Sequence, residues 1–431
     1  PGWIEYNSPN SYTGKEPSTL NAIENEYDPK IQITTKIEKL IAYGHDPSKM
    51  EIVIVGGTFL FMPKDYQENF IKSCYDALNG VDSNNLEEAK SNNEHAKIRN
   101  VGFTIETKPD YCKQIHVDAM LDYGITRIEI GVQSLQERVY KIVNRGHDYN
   151  DVIESFQISK DAGYKIVAHM MPGLPTMTPE GDIADFKKLF DDSQLRPDML
   201  KIYPSLVIEN TPLYDEYKCG KYTPYSDQDM IRVLTEVKRN IPKWVRIMRV
   251  QREISPNEII AGPKSGNLRQ IVHQNLSKQG ISCKCIRCRE AGLSNKKTDD
   301  QNLKLNRIDY ESSGGNEVFL SYEDTNDSIY GFLRLRKPSI LAHRKEVGND
   351  SCIVRELHVY GKSLKLGEKG ENEIQHSGLG KNLMKEAEKI SKEEFDATKL
   401  LVISAVGTRE YYQKLGYSLY GPYMTKPLNR E

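Results

Sequence analysis

Three cysteines within six positions are the densest group of metal ligands in this 431-residue sequence. Cys283, Cys285 and Cys288 lie in the stretch ISCKCIRCREAG, with the spacing C-x-C-x-x-C. Thiolates at this spacing can hold a tetrahedral zinc ion or an iron–sulfur cluster, and unliganded thiols are the simpler alternative. The sequence offers three candidates for a fourth zinc ligand: Cys112, Cys219 and His273.

Basic residues surround these cysteines. Between Arg246 and Lys297 there are eleven Lys or Arg residues against three acids, although the whole chain has a net charge of −2. Clustered basic residues bind phosphates because each neutralised phosphate releases counterions. We therefore predict a polyanion-binding element here. A solvated connector is the alternative for the charge run alone.

A second group of residues has the pattern of a phosphate-binding turn. In QHSGLGKNLM, residues 375–384, a Gln-x-x-Gly-x-Gly sequence precedes a long amphipathic stretch. Such a turn directs backbone N–H groups and the positive end of a helix at a diphosphate, and glycine lets the backbone approach the oxygens. Most Gly-x-Gly turns bind no ligand, so the pattern is weak without its neighbours.

The elements that would position these groups begin with an α/β region over residues 1–253. Short apolar runs alternate there with amphipathic stretches, which predicts a parallel sheet that forms a barrel or part of one. The predicted strands are 51–57, 100–107, 127–134, 165–175, 199–207 and 245–253. Catalytic groups of such barrels lie at the carboxyl ends of the strands. The residues at those ends are Gly56, Gly57, Thr58, Glu106, Thr107, Gln133, Ser134, His169, Met170 and Met171.

Two further regions follow. Residues 254–300 break the alternation and are predicted to be a basic, zinc-binding linker segment. A second α/β unit covers 301–431, with strands at 328–338, 352–360 and 399–407, a loop over 361–374 and a long helix within 375–394. A short capped helix over 408–417 ends at Gly416.

Composition is that of a water-soluble globular protein, with 38% hydrophobic and 28% charged residues. No run of eighteen apolar residues and no signal peptide is visible, so we expect no membrane association. Seven clustered cysteines favour a reducing compartment, and we expect a cytoplasmic protein. Cys74, Cys219 and Cys352 are predicted to be buried apolar residues.

With its neighbouring elements, the glycine turn resembles that of the GNAT acetyltransferases, over residues 310–426. In that family the turn holds the pyrophosphate of coenzyme A, a strand like ELHV (356–359) pairs with pantetheine, and a helical tyrosine lies beside the thioester sulfur. Packing alone is the alternative role for His358. The resemblance implies an acetyl-CoA site made of Glu356, Leu357, His358, Val359, Gln375, Gly378, Leu379, Gly380, Lys381 and Tyr412.

The N-terminal region resembles the radical S-adenosylmethionine (SAM) domain of the Elongator catalytic-subunit family. The matching motifs are SYTGKEP (11–17), GGTF (56–59), ETKPDYC (106–112), EIGVQS (129–134), NRGH (144–147) and AHMMPGLP (168–175). That family joins this domain to a C-terminal acetyltransferase, so the resemblance covers nearly the whole chain. It implies a SAM site that contains Gly56, Gly57, Thr58, Glu106 and Gln133.

The resemblance also implies a [4Fe–4S] cluster whose open iron binds SAM. In the family the cluster cysteines precede a PGG-like turn, whereas this sequence begins PGWIEYNSP, so we expect those ligands to lie outside it. Cys283, Cys285 and Cys288 follow the barrel strands, where the radical cluster is not placed. We therefore predict that these three cysteines hold a structural zinc.

The activity implied by the resemblance is carboxymethylation at C5 of the wobble uridine (U34) of tRNA, with acetyl-CoA hydrolysis triggered by tRNA. Tyr412 would be catalytic, as would Lys49, which matches a family lysine that contacts acetyl-CoA from the barrel side. Without the family, Lys49 is a surface lysine. The expected partners are the tRNA anticodon arm, held by the basic segment and SYTGKEP, and accessory Elongator-type subunits.

Two other functions stay open. The chain could be a protein lysine N-acetyltransferase that uses the barrel as a scaffold, with Glu356 as general base and Tyr412 as general acid. It could also be a tRNA-binding subunit without catalytic activity, for which acetyl-CoA is a structural ligand.

Overall fold

Two large sheets, one parallel and one mixed, organise the chain. A computed structural model describes residues 12, 14–293, 302–360 and 378–428. The strands are β1 (Lys49–Ile54), β2 (Arg99–Thr107), β3 (Arg127–Gln133), β4 (Lys165–Met170), β5 (Met199–Ile202), β6 (Val207–Ile208), β7 (Arg246–Arg249), β8 (Ile259–Ala261), β9 (Lys304–Ser312), β10 (Gly315–Glu323), β11 (Ile329–Lys337), β12 (Ser351–Val359), β13 (Lys399–Val402), β14 (Ser418–Tyr420) and β15 (Tyr423–Pro427).

Helices connect these strands. They are α1 (Pro17–Glu24), α2 (Pro29–Ala42), α3 (Lys64–Asn79), α4 (Leu86–His95), α5 (Gln114–Asp122), α6 (Glu137–Ile142), α7 (Tyr149–Asp161), α8 (Pro179–Asp191), α9 (Pro212–Lys218), α10 (Asp227–Arg239), α11 (Leu268–Lys278), α12 (Ile286–Arg289), α13 (Leu379–Glu393) and α14 (Arg409–Gln413). Their starts are capped locally: Asp148 and Ser226 form capping boxes before α7 and α10. Among the described helices, none is both long and apolar enough to cross a bilayer.

The parallel sheet has the strand order β1-β2-β3-β4-β5-β7, and every neighbouring pair is parallel. This confirms the predicted partial barrel. Each predicted strand is present, and all except β2, which reaches Thr107 as predicted, end earlier than predicted. Helices that cross over between successive strands account for the parallel pairing. The carboxyl ends of all six strands meet at one end of the half-barrel.

The two faces of this sheet differ in chemistry. Ile128, Ile166 and Leu200 face the helices and belong to the main apolar core. Their neighbours in sequence face the inside of the half-barrel, where Thr104, Arg127 and Lys165 lie side by side in register. Parallel strands are usually apolar on both faces, so a charged interior indicates a surface that binds a polar ligand.

The mixed sheet has the order β14-β15-β13-β12-β11-β10-β9, with only β12 and β13 parallel. Helix α13 packs on this sheet through Leu383, Ala387 and Ile390, which follow helical spacing and join the second apolar core. Strands β9 and β10 and helices α1 and α2 were not anticipated from the sequence. The stretch 361–377, which includes Gln375 and the predicted loop, lies outside the described residues.

Buried ion pairs join the mixed sheet to the amino ends of the barrel strands. Arg355 binds Asp198 through two hydrogen bonds of 2.6 and 2.8 Å, and Arg336 binds Asp161 at 2.6 Å. All four side chains have at most 1% of their surface exposed. The mixed sheet therefore packs against the end of the half-barrel opposite to the mouth.

The basic segment is more ordered than a connector. Helix α11 lies within it and buries Leu268, Val272 and Leu276 in the core of the half-barrel. Residues 294–300 lie outside the described part of the chain, so the boundaries predicted for residues 1–253, 254–300 and 301–431 stay predictions.

Candidate active site and metal centre

The mouth of the half-barrel begins with a glycine turn after β1. Gly56 and Gly57 have φ angles of 141° and 87°, which favour glycine. An added Cβ at Gly56 would meet no atom of the described part of the chain within 4 Å. The backbone of this turn is therefore open to a ligand, which fits the polar methionyl end of SAM. Thr58 is buried directly after it.

A non-glycine residue with unusual geometry lies across the mouth. Gln133, at the end of β3, has a φ of 70°, and its Oε1 has no hydrogen-bond partner among the described residues. Such backbone strain persists where the surrounding structure holds it, often at a functional site. The SAM-binding roles of Gly56, Gly57, Thr58, Glu106 and Gln133 stay predictions.

Three buried polar side chains form what we call the floor cluster, which sequence reasoning missed. Glu129 Oε2 lies 2.7 Å from His169 Nε2 and also contacts the Lys201 ammonium. Burial raises the pKa of Glu129, but its hydrogen bond to His169 and the charge of Lys201 outweigh burial and hold that pKa at about 2. Glu129 is therefore ionised and acts only as a hydrogen-bond acceptor.

The floor cluster extends towards the mouth through Glu106. The carboxylate of Glu106 accepts a 2.7 Å hydrogen bond from the Tyr12 hydroxyl, and it lies within 4.8 Å of the ligand atoms of Glu129 and His169. Tyr12 belongs to the SYTGKEP motif, so this residue of the motif lies at the mouth. In the described ranges, no group of three cysteines lies here to hold an iron–sulfur cluster.

A second cleft lies at the opposite, amino-terminal end of the barrel strands. Strands β12 and β13 pair from Ser351 to Val354 and then separate, leaving a cavity of about 110 Å³ between them. Glu51, Arg127 and Lys165 of the half-barrel close this cavity from the other side. The cleft is therefore shared by the two sheets.

Several residues of the predicted acetyl-CoA site line this cleft. Glu356, Leu357 and His358 lie along one wall, and Tyr412 lies at 7% exposure in another. Burial raises the pKa of the Tyr412 phenol, so the phenol remains protonated at neutral pH. Arg334 Nε lies 2.7 Å from the Glu356 carboxylate, and this pairing outweighs burial and lowers the pKa of Glu356. A carboxylate held in an ion pair is a poor general base, which weakens the acetyltransferase role proposed for Glu356.

The glycine turn begins where α13 starts. Gly378 has a φ of 80°, and Leu379 and Lys381 follow in the first turn of the helix. An added Cβ at Gly380 would lie 2.8 Å from Tyr411 Oη and 3.6 Å from Val359 Cγ2. The turn, the end of β12 and the tyrosine helix therefore converge, as the resemblance implies. The ligand roles of these residues, and of Gln375 outside the described part, stay predictions.

Lys49 lies at the amino end of β1, two residues before Glu51, which lines the cleft. The structure therefore places Lys49 near the predicted acetyl-CoA site and far from the predicted SAM site. The seven residue steps from Lys49, at the start of β1, to Gly56, just after the strand, correspond to about 23 Å of extended chain. The two predicted sites occupy opposite ends of one half-barrel.

The clustered cysteines form a compact site beside β7 and α11. The Sγ atoms of Cys283, Cys285 and Cys288 lie within 4.8 Å of one another, and Cys288 Sγ lies 3.5 Å from His273 Nε2. Three thiols and an imidazole are a donor set that suits tetrahedral zinc. Buried Lys238 adds an ammonium 3.1 Å from His273 Nε2.

The other candidates for the fourth ligand do not lie at this site. Cys112 is fully buried in the barrel core, 3.2 Å from Ser159 Oγ. Cys219 is exposed at the end of α9, so the prediction that it is a buried apolar residue was wrong. It follows the last turn of a short helix that has no buried residue. Cys74 and Cys352 are buried as predicted.

The parallel half-barrel, with glycines and polar groups at the carboxyl ends of its strands, defines a radical SAM protein. The family description "Radical SAM superfamily" matches residues 12–189, and "Radical_SAM C-terminal domain" matches residues 197–278. The second match enters the basic segment and ends with α11, consistent with the packing of that helix on the half-barrel.

Proteins that are similar over nearly the whole chain indicate one family within the radical SAM class. The tRNA uridine(34) acetyltransferase of Methanocaldococcus jannaschii is 46% identical over 97% of this chain and 79% of its own length. Human Elongator complex protein 3 is 45% identical over 99% of this chain and 78% of its own length. The structure of Methanocaldococcus infernus Elp3 with an N-terminal deletion superposes with a TM-score of 0.90, at 45% identity, and covers 94% of this chain and 97% of that one. The chain belongs to the Elongator complex protein 3 family.

Proposed function

We propose that this protein carboxymethylates C5 of the wobble uridine U34 of tRNA, using acetyl-CoA and SAM. The observation that carries the proposal is the joining, in one chain, of a radical SAM half-barrel and a cleft between two separating strands beside a buried tyrosine. Relatives named tRNA uridine(34) acetyltransferase support U34 as the target. Relatives named as Elongator complex proteins support accessory subunits as partners.

The mixed sheet would act as a GNAT-type acetyltransferase domain that holds acetyl-CoA. Where β12 and β13 part, the backbone loses its partner strand, and pantetheine amides could pair with it. The diphosphate would bind the N-terminus of α13, where the backbone turns at Gly378. Lys49 would contribute positive charge towards the phosphates of the cofactor.

The chemistry needs a shielded site and controlled protons. A bound and reduced iron–sulfur cluster would supply the electron that cleaves SAM, and this cleavage would be the source of radical chemistry at the site. The chain's own part is to bind SAM at the Gly56–Gly57 turn and to exclude water within the half-barrel. The protonated phenol of Tyr412 would donate a hydrogen bond to the thioester sulfur and favour departure of the thiolate.

The distance between the two predicted sites adds a requirement. About 23 Å of extended chain separates Lys49 from Gly56, so the acetyl group must move along the half-barrel before it reaches the wobble base. We therefore expect acetyl-CoA hydrolysis to depend on tRNA, because binding of tRNA would couple the two ends.

An acetyl-CoA hydrolysis assay with and without tRNA tests the proposal. We expect tRNA to switch hydrolysis on, and Tyr412→Phe and Lys49→Ala each to reduce it strongly. Tyr420→Phe, an exposed residue of β14, is the matched control and should behave as wild type. Hydrolysis that ignores tRNA, together with acetylation of peptide lysines, would favour the protein acetyltransferase instead.

The cysteine site would hold zinc through Cys283, Cys285, Cys288 and His273. Three thiolates, a neutral imidazole and Zn²⁺ carry a net charge of −1, which the ammonium of Lys238 would balance. The basic segment that contains these cysteines would bind the tRNA anticodon arm through the phosphates of the RNA. Free cysteines throughout the described chain are consistent with a reducing, cytoplasmic compartment.

A further inference from the structure

The floor cluster contains an ionised oxygen without a partner. Glu129 is 1% exposed, and His169 and Lys201 both contact its Oε2. Its Oε1 has no hydrogen-bond partner among the described residues. A buried charged acceptor without a donor destabilises a protein, so a ligand that brings an N–H group would complete this site.

Donors lie beside that acceptor. The Lys201 ammonium has three N–H groups, and Glu129 Oε2 is the acceptor it contacts in the floor cluster. The ring of His169 meets the edge of Tyr203 with 5.3 Å between ring centroids. The floor cluster therefore offers a ligand an anionic acceptor next to a cationic donor, below an aromatic side chain.

A bound cation fits this arrangement less well than a neutral ligand. The ligand atoms of Glu106, Glu129 and His169 lie within 4.8 Å of one another. The Lys201 ammonium, however, already contacts the oxygen that a cation would use, and it would repel a second positive charge. A neutral molecule with an N–H beside a carbonyl satisfies both Glu129 and Lys201.

We propose that the floor cluster recognises the Watson–Crick edge of uracil. Glu129 Oε1 accepts a hydrogen bond from the uracil N3–H, and Lys201 donates one to a flanking carbonyl oxygen. This inference rests on the proposed function, and it requires that the wobble uridine be flipped into the barrel mouth. Cytosine is disfavoured because its N3 carries a lone pair that would face the carboxylate. A site built on hydrogen bonds rejects analogues that lack the donor.

The test compares anticodon stem–loop RNAs that carry uridine, N3-methyluridine or cytidine at the wobble position. The full-length, cluster-loaded protein is used, binding is measured by fluorescence anisotropy, and modified nucleoside is measured by mass spectrometry. We expect the specificity constant for N3-methyluridine to be at least tenfold below that for uridine, with weaker binding as well. Loss of a hydrogen bond to a charged group has an effect of this size.

Protein variants identify the residues responsible. The double variant Glu129→Gln/Lys201→Met removes both charges together. In this variant, the ratio of the specificity constant for uridine to that for N3-methyluridine should fall towards one. Glu311→Gln, an exposed change on β9, should keep the wild-type ratio. Because changes at Glu129 can destabilise the half-barrel, the RNA comparison on wild-type protein carries the test by itself.

Failure of this inference can be distinguished from failure of the proposed function. Equal binding and equal modification of uridine and N3-methyluridine by wild-type protein would overturn the floor cluster as the uracil reader and leave the proposed function intact. If no RNA is modified under any condition, the proposed function fails, and equal binding of the RNAs would overturn the inference as well.

Discussion

At the scale of single residues, the structure distinguishes between candidate ligands that the sequence left open. Of the three candidates for a fourth zinc ligand, His273 alone lies beside the cysteines, while Cys112 is enclosed in the core and Cys219 faces solvent. Lys238 has no exposed surface and lies 3.6 Å from Cys288 Sγ. A buried ammonium needs negative charge nearby, and thiolates that bind zinc would supply it.

Replacement of Cys288 tests this metal site. Cys288→Ser should lower bound zinc well below one ion per chain and reduce the melting temperature, because zinc binding contributes folding free energy. Bound zinc is measured by inductively coupled plasma mass spectrometry. Cys219→Ser is the matched control. Full zinc content in Cys288→Ser would contradict the assignment.

At the scale of elements, the start of α13 needs a residue that adopts a positive φ angle and leaves the backbone accessible to a ligand. Gly378 has a φ of 80°, and an added Cβ there would meet no atom of the described residues within 4 Å. Gly44, in the loop between α2 and β1, has the same φ and the same open surroundings. The two glycines therefore differ in location and not in local strain.

This pair allows backbone strain to be separated from ligand binding. Gly378→Ala and Gly44→Ala should each lower the free energy of unfolding by about 1 kcal/mol, because alanine is strained at positive φ. Only Gly378→Ala should weaken the binding of coenzyme A, measured by isothermal titration calorimetry. Equal affinities in both variants would argue against a diphosphate at the α13 terminus.

At the scale of the whole molecule, buried ion pairs hold the mixed sheet against the half-barrel. Arg355 has no exposed surface and contacts both oxygens of Asp198 and also Glu317. Removing one member of such a network leaves an uncompensated charge in the interior. The shared cleft depends on this interface, because its walls come from both sheets.

The substitution Asp198→Asn should lower the free energy of unfolding by about 3–5 kcal/mol. Urea denaturation followed by circular dichroism measures the change. The control is Glu394→Gln, which breaks a half-exposed pair with Arg307 and should cost no more than about 1 kcal/mol. Similar losses of unfolding free energy in the two variants would show that the buried ion pair contributes no more to stability than the half-exposed pair.

Acid should weaken the same interface. Burial raises the pKa of Asp198, but the Arg355 charge outweighs it and lowers the folded-state pKa below its ordinary value. The unfolded chain therefore takes up protons first, so this stabilisation is present at neutral pH and is lost as pH falls below about 4. Melting temperatures measured between pH 6 and pH 3 should decline, and less steeply in Asp198→Asn. If Asp198→Asn left the dependence of the melting temperature on pH unchanged, Asp198 would not be the source of this loss of stability in acid.

The sequence by itself determined the local features. The barrel strands, the glycine turn before α13 and the cysteine spacing follow from periodicity and from residue types that fix the backbone. The alternation in RIEIG and KIVAH also pointed to a polar barrel interior, a signal that sequence reasoning overlooked. Helices α1 and α2 were missed because their weak apolar faces contact little of the core.

Tertiary structure alone decided which distant residues meet. Glu129, His169 and Lys201 come from three strands, and His273 reaches the cysteines from a separate helix. The placement of the acetyl-CoA and SAM residues at opposite ends of the half-barrel also appears only in three dimensions. The physical reason is that such contacts depend on how buried surfaces and ion pairs pack together, whereas periodicity reports only the faces of each element.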